Sequence, residues 1–186
     1  YKQKGDNMPE IGVNGVQLFY ELTGTGDIPI VLVHGSWSSH STWNNVMQNL
    51  AAPFKVLSYD RRGHSASQRL ATQGSIHEDM ADLATLIEQL ELAPAWVIGN
   101  SFGGVISLRL AGERPELFRG LMLHEPPFLS LLAGNEALSE MLNEVNSRIE
   151  AVLARIAAGD YAGAAELFID SVAVGPGSWA RLPAEQ

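Results

Sequence analysis

Gly99-Asn100-Ser101-Phe102-Gly103 follows the apolar run Ala95-Trp96-Val97-Ile98 and opens a helix-like segment over residues 105–111. The order is strand, sharp turn, helix. A turn of that kind lifts the serine out of a sheet edge and points its oxygen outward as a nucleophile. The backbone at Ser101 is then strained, at a cost of about 1 to 3 kcal/mol that neighbours must enforce. Gly99 and Gly103 fit this reading, because side chains there would collide where strand and helix cross, and Gly104 is expected to loosen the packing further. A Gly/Ser-rich turn shares the bare five-residue pattern. The flanking strand and helix separate the two readings.

Residues 11–14 and 16–22 read as two short strands joined at Asn14-Gly15, a strong hairpin signal. Residues 24–29 read as a loop, and Ile30-Val31-Leu32-Val33 as a strand buried on both faces that stops at His34-Gly35. Trp43, Val46, Met47 and Leu50 share a helical face, with Ser41 or Thr42 placed to cap it. Residues 54–59 form the next strand, ending in the polar loop Asp60-Arg61-Arg62-Gly63-His64-Ser65. Ser75 and Glu78 make a capping box for a helix carrying Met80, Leu83, Leu86, Ile87 and Leu90. Pro94 begins the strand before Ser101, and Pro115 ends the helix after it near Glu113. Leu121-Met122-Leu123 is a last strand, delivering His124-Glu125-Pro126-Pro127. Strands alternating with amphipathic helices predict an α/β fold, a mostly parallel sheet with helices on both faces. In such sheets ligands bind beyond the carboxyl ends of the strands, so His34, Asp60, Ser101 and Glu125 are expected to converge on one crevice.

From Asn135 the pattern changes. Leu138, Met141, Leu142, Val145, Ile149, Val152, Leu153 and Ile156 predict an amphipathic helix whose apolar stripe faces a core, closed by Gly159. Asp160 caps a further helix, broken at Gly175-Pro176-Gly177. Two parts follow, residues 1–130 as sheet and helices and residues 131–186 as a helical insertion. The chain has 186 residues, 46% of them apolar, enough for a real core, and no cysteine, which excludes disulfides and thiolate metal sites. The net charge of −9 argues against nucleic-acid and anionic-membrane partners, which need basic patches. No apolar run approaches the roughly 20 residues of a membrane span, and no signal peptide is visible, so a cytoplasmic location is expected.

His34-Gly35, then Tyr59-Asp60-Arg61-Arg62-Gly63-His64-Ser65, then residues 99–104 resemble, in order and spacing, the α/β-hydrolase superfamily, and more closely its lidded serine-hydrolase branch. The likeness covers roughly residues 10–130. It implies Ser101 as the catalytic nucleophile, an oxyanion hole from the backbone N–H groups of Ser36 and Phe102, no cofactor or metal, and residues 131–186 as the start of a lid. The implied reaction is hydrolysis of a small ester or related carbonyl substrate through an acyl-serine. Serine at 101 argues against the dehalogenase and epoxide-hydrolase chemistries, which use aspartate there. Asn100 beside Ser101 is similar to the C–C bond hydrolases, although His34-Gly35-Ser36-Trp37 lacks their glycine-rich oxyanion stretch, so the alternative chemistry is that of a C–C bond hydrolase or a perhydrolase-type relative.

The family's triad runs Ser, then Asp or Glu, then His. Only His124 follows Ser101, and it sits beside Glu125 on the same strand end, so no general base is visible. His34 is expected to order the oxyanion loop, His64 to brace the arginine-rich turn, and His40 and His77 to be solvated. Glu125 is either the triad acid or a residue that orders the junction near Pro126-Pro127 by hydrogen bonding. His34, Trp37, Phe102, Phe128 and Leu129 are candidate pocket walls or core. A non-catalytic ligand-binding relative, and a portion complemented by a second chain, remain open beside the enzyme. The missing acid and histidine, with the lid stopping at residues 183–186, lead to the expectation that these residues are not the whole working protein, through a disordered carboxyl-terminal half, a cleaved or truncated product, or a partner chain that supplies the rest; expected partners are a small-molecule substrate and either such a chain or further copies in a homo-oligomer.

Overall fold

The computed structural model of the chain describes residues 9–71 and 74–182. The polar leader before residue 9 and the stopping point of the lid at residues 183–186 lie outside the described residues.

Strands β1 (Glu10–Val13) and β2 (Val16–Thr23) pair antiparallel, with Val13 opposite Val16. Asn14 (φ 42°) and Gly15 (φ 82°) are both left-handed, the turn geometry whose twist matches the flanking strands. Strand β3 (Ile28–Val33) starts inside the expected loop, because Ile28 and Pro29 already pair with Phe54 and Lys55 of β4 (Phe54–Tyr59). With β5 (Ala95–Asn100) and β6 (Phe118–His124) the order is β1-β2-β4-β3-β5-β6, and β4, β3, β5 and β6 run parallel.

Side-chain alternation on β3 and β4 divides the core. Val31, Val33 and Leu57 face the cluster that includes Val97, Leu83, Leu86, Ile87, Ile106 and Leu110, whereas Ile30, Leu32 and Val56 face Trp43 and Met47. Helix α1 (Asn44–Leu50) supplies Met47 and is entered through the 3-10 turn His40–Trp43. Neither Ser41 nor Thr42 caps it, contrary to the sequence expectation. Their hydroxyls pair with Ser39 (2.7 Å) and Ser38 (2.5 Å), and the His40 N–H donates instead to the Asp60 carboxylate at 2.7 Å. Helix α2 (Ile76–Gln89) has the predicted capping box, the Ser75 N–H reaching Glu78 Oε2 at 2.7 Å. Helix α3 (Phe102–Glu113) stops before Pro115 as expected.

The chain divides into two compact units, Tyr1–Pro127 and Phe128–Gln186. In the second, Asn135 caps a 3-10 turn (Glu136–Leu138) before α4 (Ser139–Ala157). Asp160 caps α5 (Tyr161–Phe168), its carboxylate accepting from the Gly163 N–H at 2.9 Å, and a π-type turn (Ile169–Ala173) continues it. The apolar stripe of α4 is only partly a core face: Val152 is buried, Leu138, Leu142, Val145, Ile149 and Ile156 are half-buried, and Met141 and Leu153 are exposed. Among the described residues no helix is long and apolar enough to cross a membrane.

Candidate active site

The register of the parallel strands assembles the site. Val33 lies opposite Gly99 and Asn100 opposite His124, so the chain leaves β3, β5 and β6 at the same sheet end, with Asp60 beyond neighbouring β4. Ser101 has φ 50° and ψ −124°, a left-handed conformation that strains a serine by about 1 to 3 kcal/mol. Hydrogen bonds on both sides fix it. Its N–H donates to the His124 carbonyl at 2.9 Å, and its carbonyl accepts from Gly104 (2.9 Å) and Val105 (3.3 Å). A Cβ at Gly99 would lie 2.6 Å from the Gly104 Cα, and one at Gly103 would lie 2.4 Å from the Val33 carbonyl oxygen. Gly104 does not loosen the packing. A Cβ there would meet the Gly99 oxygen and Pro126 Cβ at 3.2 Å, so the position is itself a close approach.

Phe102 opens α3, and its N–H belongs to the first helical turn, whose donors have no partner inside the helix. The partial positive charge of a helix N-terminus therefore lies directly after the Ser101 hydroxyl. Across the turn, Gly35 packs on the serine: a Cβ at Gly35 would be 2.9 Å from Ser101 Cβ. Ser36 follows, half-buried.

This loop is held from behind by groups that the sequence reading gave no role. Arg61 is buried and makes a two-point ion pair with Asp79, Nε to Oδ1 and Nη2 to Oδ2, both at 3.1 Å. Its Nη1 donates to the Gly35 carbonyl at 3.2 Å, and its guanidinium carbon lies 5.1 Å from the centre of the Phe102 ring. Arg62 pairs in the same two-point way with buried Asp82 (2.7 and 2.8 Å) and reaches Glu78 at 2.6 Å, while Asn14 donates to Asp82 at 3.0 Å. The sequence signal was Asp79 and Asp82 interleaved with Met80 and Leu83 on the buried side of α2, since aspartates are seldom buried unless paired.

The histidines divide by environment. His34 is fully buried; desolvation first, then the charge of Arg61, pushes its pKa down from 6.5 to about 3. A neutral ring fits its contacts. Nε2 accepts the Arg61 backbone N–H at 3.0 Å, which leaves the proton on Nδ1 to donate to the Gly35 carbonyl at 2.8 Å. His64 caps the arginine turn through the Arg62 carbonyl (2.9 Å), and burial, then Arg61, lowers its pKa. His77 is exposed. His40 is not solvated as expected. Its Nδ1 is 2.9 Å from Asp60 Oδ1 and its ring packs on Phe19 at 4.5 Å. Asp60, fully buried, is occupied by His40 and the Ala66 N–H, so it serves the loop rather than the crevice. His124 Nδ1 lies 2.8 Å from Asn100 Nδ2. Among the described residues no imidazole is hydrogen-bonded to the Ser101 hydroxyl.

Glu125 leaves β6 in a left-handed conformation (φ 48°) with its side chain exposed. The expected junction-ordering hydrogen bond from it does not form among the described residues; the His124 carbonyl, which accepts the Ser101 N–H at 2.9 Å, ties this strand end instead. Trp37 is left-handed and 44% exposed, Phe102 is half-buried under Arg61, and Phe128 and Leu129 begin the second unit.

A sequence model of the α/β hydrolase fold matches residues 28–167. An uncharacterized hydrolase, YraK, of Bacillus subtilis (strain 168) is 38% identical over 135 residues, 70% of this chain and 48% of that protein. The 2-hydroxymuconate semialdehyde hydrolase of Pseudomonas sp. (strain CF600) is 35% identical over 125 residues, 63% of this chain and 44% of that protein. The crystal structure of an α/β hydrolase from Sphaerobacter thermophilus DSM 20745 superposes with a TM-score of 0.76 at 27% identity, covering 93% of this chain and 64% of that one. The chain thus spans about half the length of these two curated relatives. With the sheet order, the strained serine between β5 and α3 and a family match over most of its length, the chain belongs to the α/β hydrolase fold family.

Proposed function

We propose that the protein is a serine hydrolase that cleaves a small ester or related carbonyl substrate through an acyl-serine. The observation that carries this reading is Ser101, strained and fixed at the N-terminus of α3. In the reaction the Ser101 oxygen bonds to the carbonyl carbon, and the N–H groups of Phe102 and Ser36 receive the oxyanion. The alcohol leaves with the serine's proton, and water then releases the acid and restores the hydroxyl. The base that moves the proton is a histidine of the whole protein beyond those described, with Glu125 a candidate acid partner. Residues 131–186 are the start of a lid. Incubation with a fluorophosphonate tests the reading: Ser101 is expected to be the labelled residue by peptide mass spectrometry, and labelling that persists in Ser101→Ala would end it.

A second chemistry has support from two observations. Asn100, which is similar to its counterpart in the C–C bond hydrolases, precedes Ser101 and is paired with His124, and one relative is a 2-hydroxymuconate semialdehyde hydrolase. Assaying that semialdehyde beside a short-chain ester distinguishes the two, turnover of the ester alone favouring the first.

A further inference from the structure

We infer that Arg61 is a positioning residue that sets the direction of the Ser36 N–H through the Gly35 carbonyl. The inference rests on the reading of Ser36 and Phe102 as oxyanion donors. Its physical basis is the planarity of the peptide bond. Across a trans peptide, the carbonyl of one residue and the N–H of the next point in opposite directions, so fixing the first fixes the second. The Gly35 carbonyl is held by two donors, His34 Nδ1 at 2.8 Å and Arg61 Nη1 at 3.2 Å. The Ser36 N–H must therefore point away from Arg61, and Gly35 itself lies against Ser101.

Arg61 is suited to this task because it cannot easily move. Asp79 grips it at two points, its side chain is buried, and its backbone N–H is anchored on His34 Nε2. The same guanidinium lies over the Phe102 ring, at the residue that carries the second donor. One buried cation thus touches the residues on both sides of the expected oxyanion position. A neutral His34 completes the clamp. Protonation at Nε2 would break its bond from the Arg61 N–H and place a second positive charge beside the guanidinium. Side chains that lock an active-site group from behind, without touching substrate, are a recurrent means of preorganising catalysis.

The test is chosen so that it does not depend on a folding failure. Removing Arg61 alone would strand the buried Asp79 charge, whereas replacing both partners by apolar residues of similar size is tolerated. The double variant Arg61→Met with Asp79→Leu is therefore compared with Arg61→Lys and with the unaltered protein. Each is treated with a fluorophosphonate, whose phosphorus bonds to the Ser101 oxygen as fluoride leaves and the hydroxyl proton passes to buffer. Loss of a whole oxyanion donor lowers rates by about 100- to 1,000-fold. A donor that is turned rather than lost is expected to lower the limiting labelling rate constant by about 10- to 100-fold, with Arg61→Lys between. A purely structural role would reduce the fraction of protein labelled and leave the rate constant of that fraction unchanged. A second readout follows the Ser36 and Phe102 amide resonances during titration with phenylboronic acid, which forms a tetrahedral adduct on serine. Both should shift in the unaltered protein; in the double variant the Ser36 response should vanish while that of Phe102 persists. Equal rate constants, or a preserved Ser36 response, in the folded double variant would overturn the inference. No response at either amide in the unaltered protein would instead remove the oxyanion reading on which it rests.

Discussion

Leu83 of α2 and Leu153 of α4 occupy the same kind of position, an apolar residue on the stripe of an amphipathic helix, yet Leu83 is fully buried and Leu153 is 55% exposed. The difference lies in what each helix has to pack on. α2 is backed by the hydrophobic cluster of a six-stranded sheet. α4 has α5 and short turns within its own unit, and a helix pair buries one narrow seam. Tyr161 and Val174 are correspondingly 69% and 71% exposed. A periodic apolar pattern therefore identifies a helix in both units but certifies a closed core only in the first.

The contrast can be broken most directly at the two serines that follow helix or strand ends. On the proposed reading, Ser101→Ala should lower ester turnover by on the order of 10⁴ to 10⁶, because the proposed nucleophile is lost. Ser171→Ala, which removes a hydroxyl bonded to the Leu167 carbonyl at 2.5 Å, should leave turnover within about twofold, since most surface-unit changes are small. Steady-state rates with a chromogenic ester decide the comparison.

Next in size is packing. Leu83→Ala should destabilise by about 2 to 5 kcal/mol, through lost transfer energy and a cavity. Leu153→Ala should stay within about 0.5 kcal/mol. Denaturant unfolding measures both, and a large effect at Leu153 would show that α4 is covered in solution.

All five histidines lie in residues 1–127, so a histidine response to acid belongs to that unit. His34 has a folded pKa pushed down to about 3 against 6.5 for a free ring. The unfolded chain then binds the extra proton first. The contribution of His34 is full above pH 6.5 and is lost as pH falls from there towards 3, by about 1.4 kcal/mol per pH unit. Unfolding midpoints followed between pH 7 and pH 4 should show this slope, and His34→Gln should reduce it, leaving the part from His64, whose pKa burial also lowers. The smallest effect is expected at Tyr59, whose buried hydroxyl has no partner among the described residues. Tyr59→Phe should be neutral or stabilising by up to about 1 kcal/mol, read as a rise in the thermal midpoint.

Local signals in the sequence were accurate wherever a few adjacent residues settle a conformation. Asn14-Gly15 specified a left-handed turn, Ser75 and Glu78 a capping box, Pro115 a helix end, and Gly99 to Gly103 the close crossing at Ser101. The capping of α1 was misread for a nonlocal reason. Ser41 and Thr42 had the right chemistry, but both lie inside the 3-10 turn His40–Trp43 that leads into α1, and their hydroxyls pair backwards with Ser39 and Ser38, while Asp60, 20 positions from His40, accepts the N–H that opens the turn. His40 was misread by the same route, since its partner was that carboxylate.

Local sterics and composition are enough to give the alternation of strands and helices, the strained serine between a strand and a helix, and a chain without cysteine. What the charged groups do depends instead on packing between distant segments. Arg61 and Asp79 are 18 positions apart, and Gly35 is 26 from Arg61, so their pairing exists only once β3, β4 and α2 are packed. Burial then does what no pattern of letters displays. It holds His34 neutral, turns two arginine–aspartate pairs into fixed struts, and leaves the α4 stripe partly uncovered, because desolvation depends on which surfaces meet.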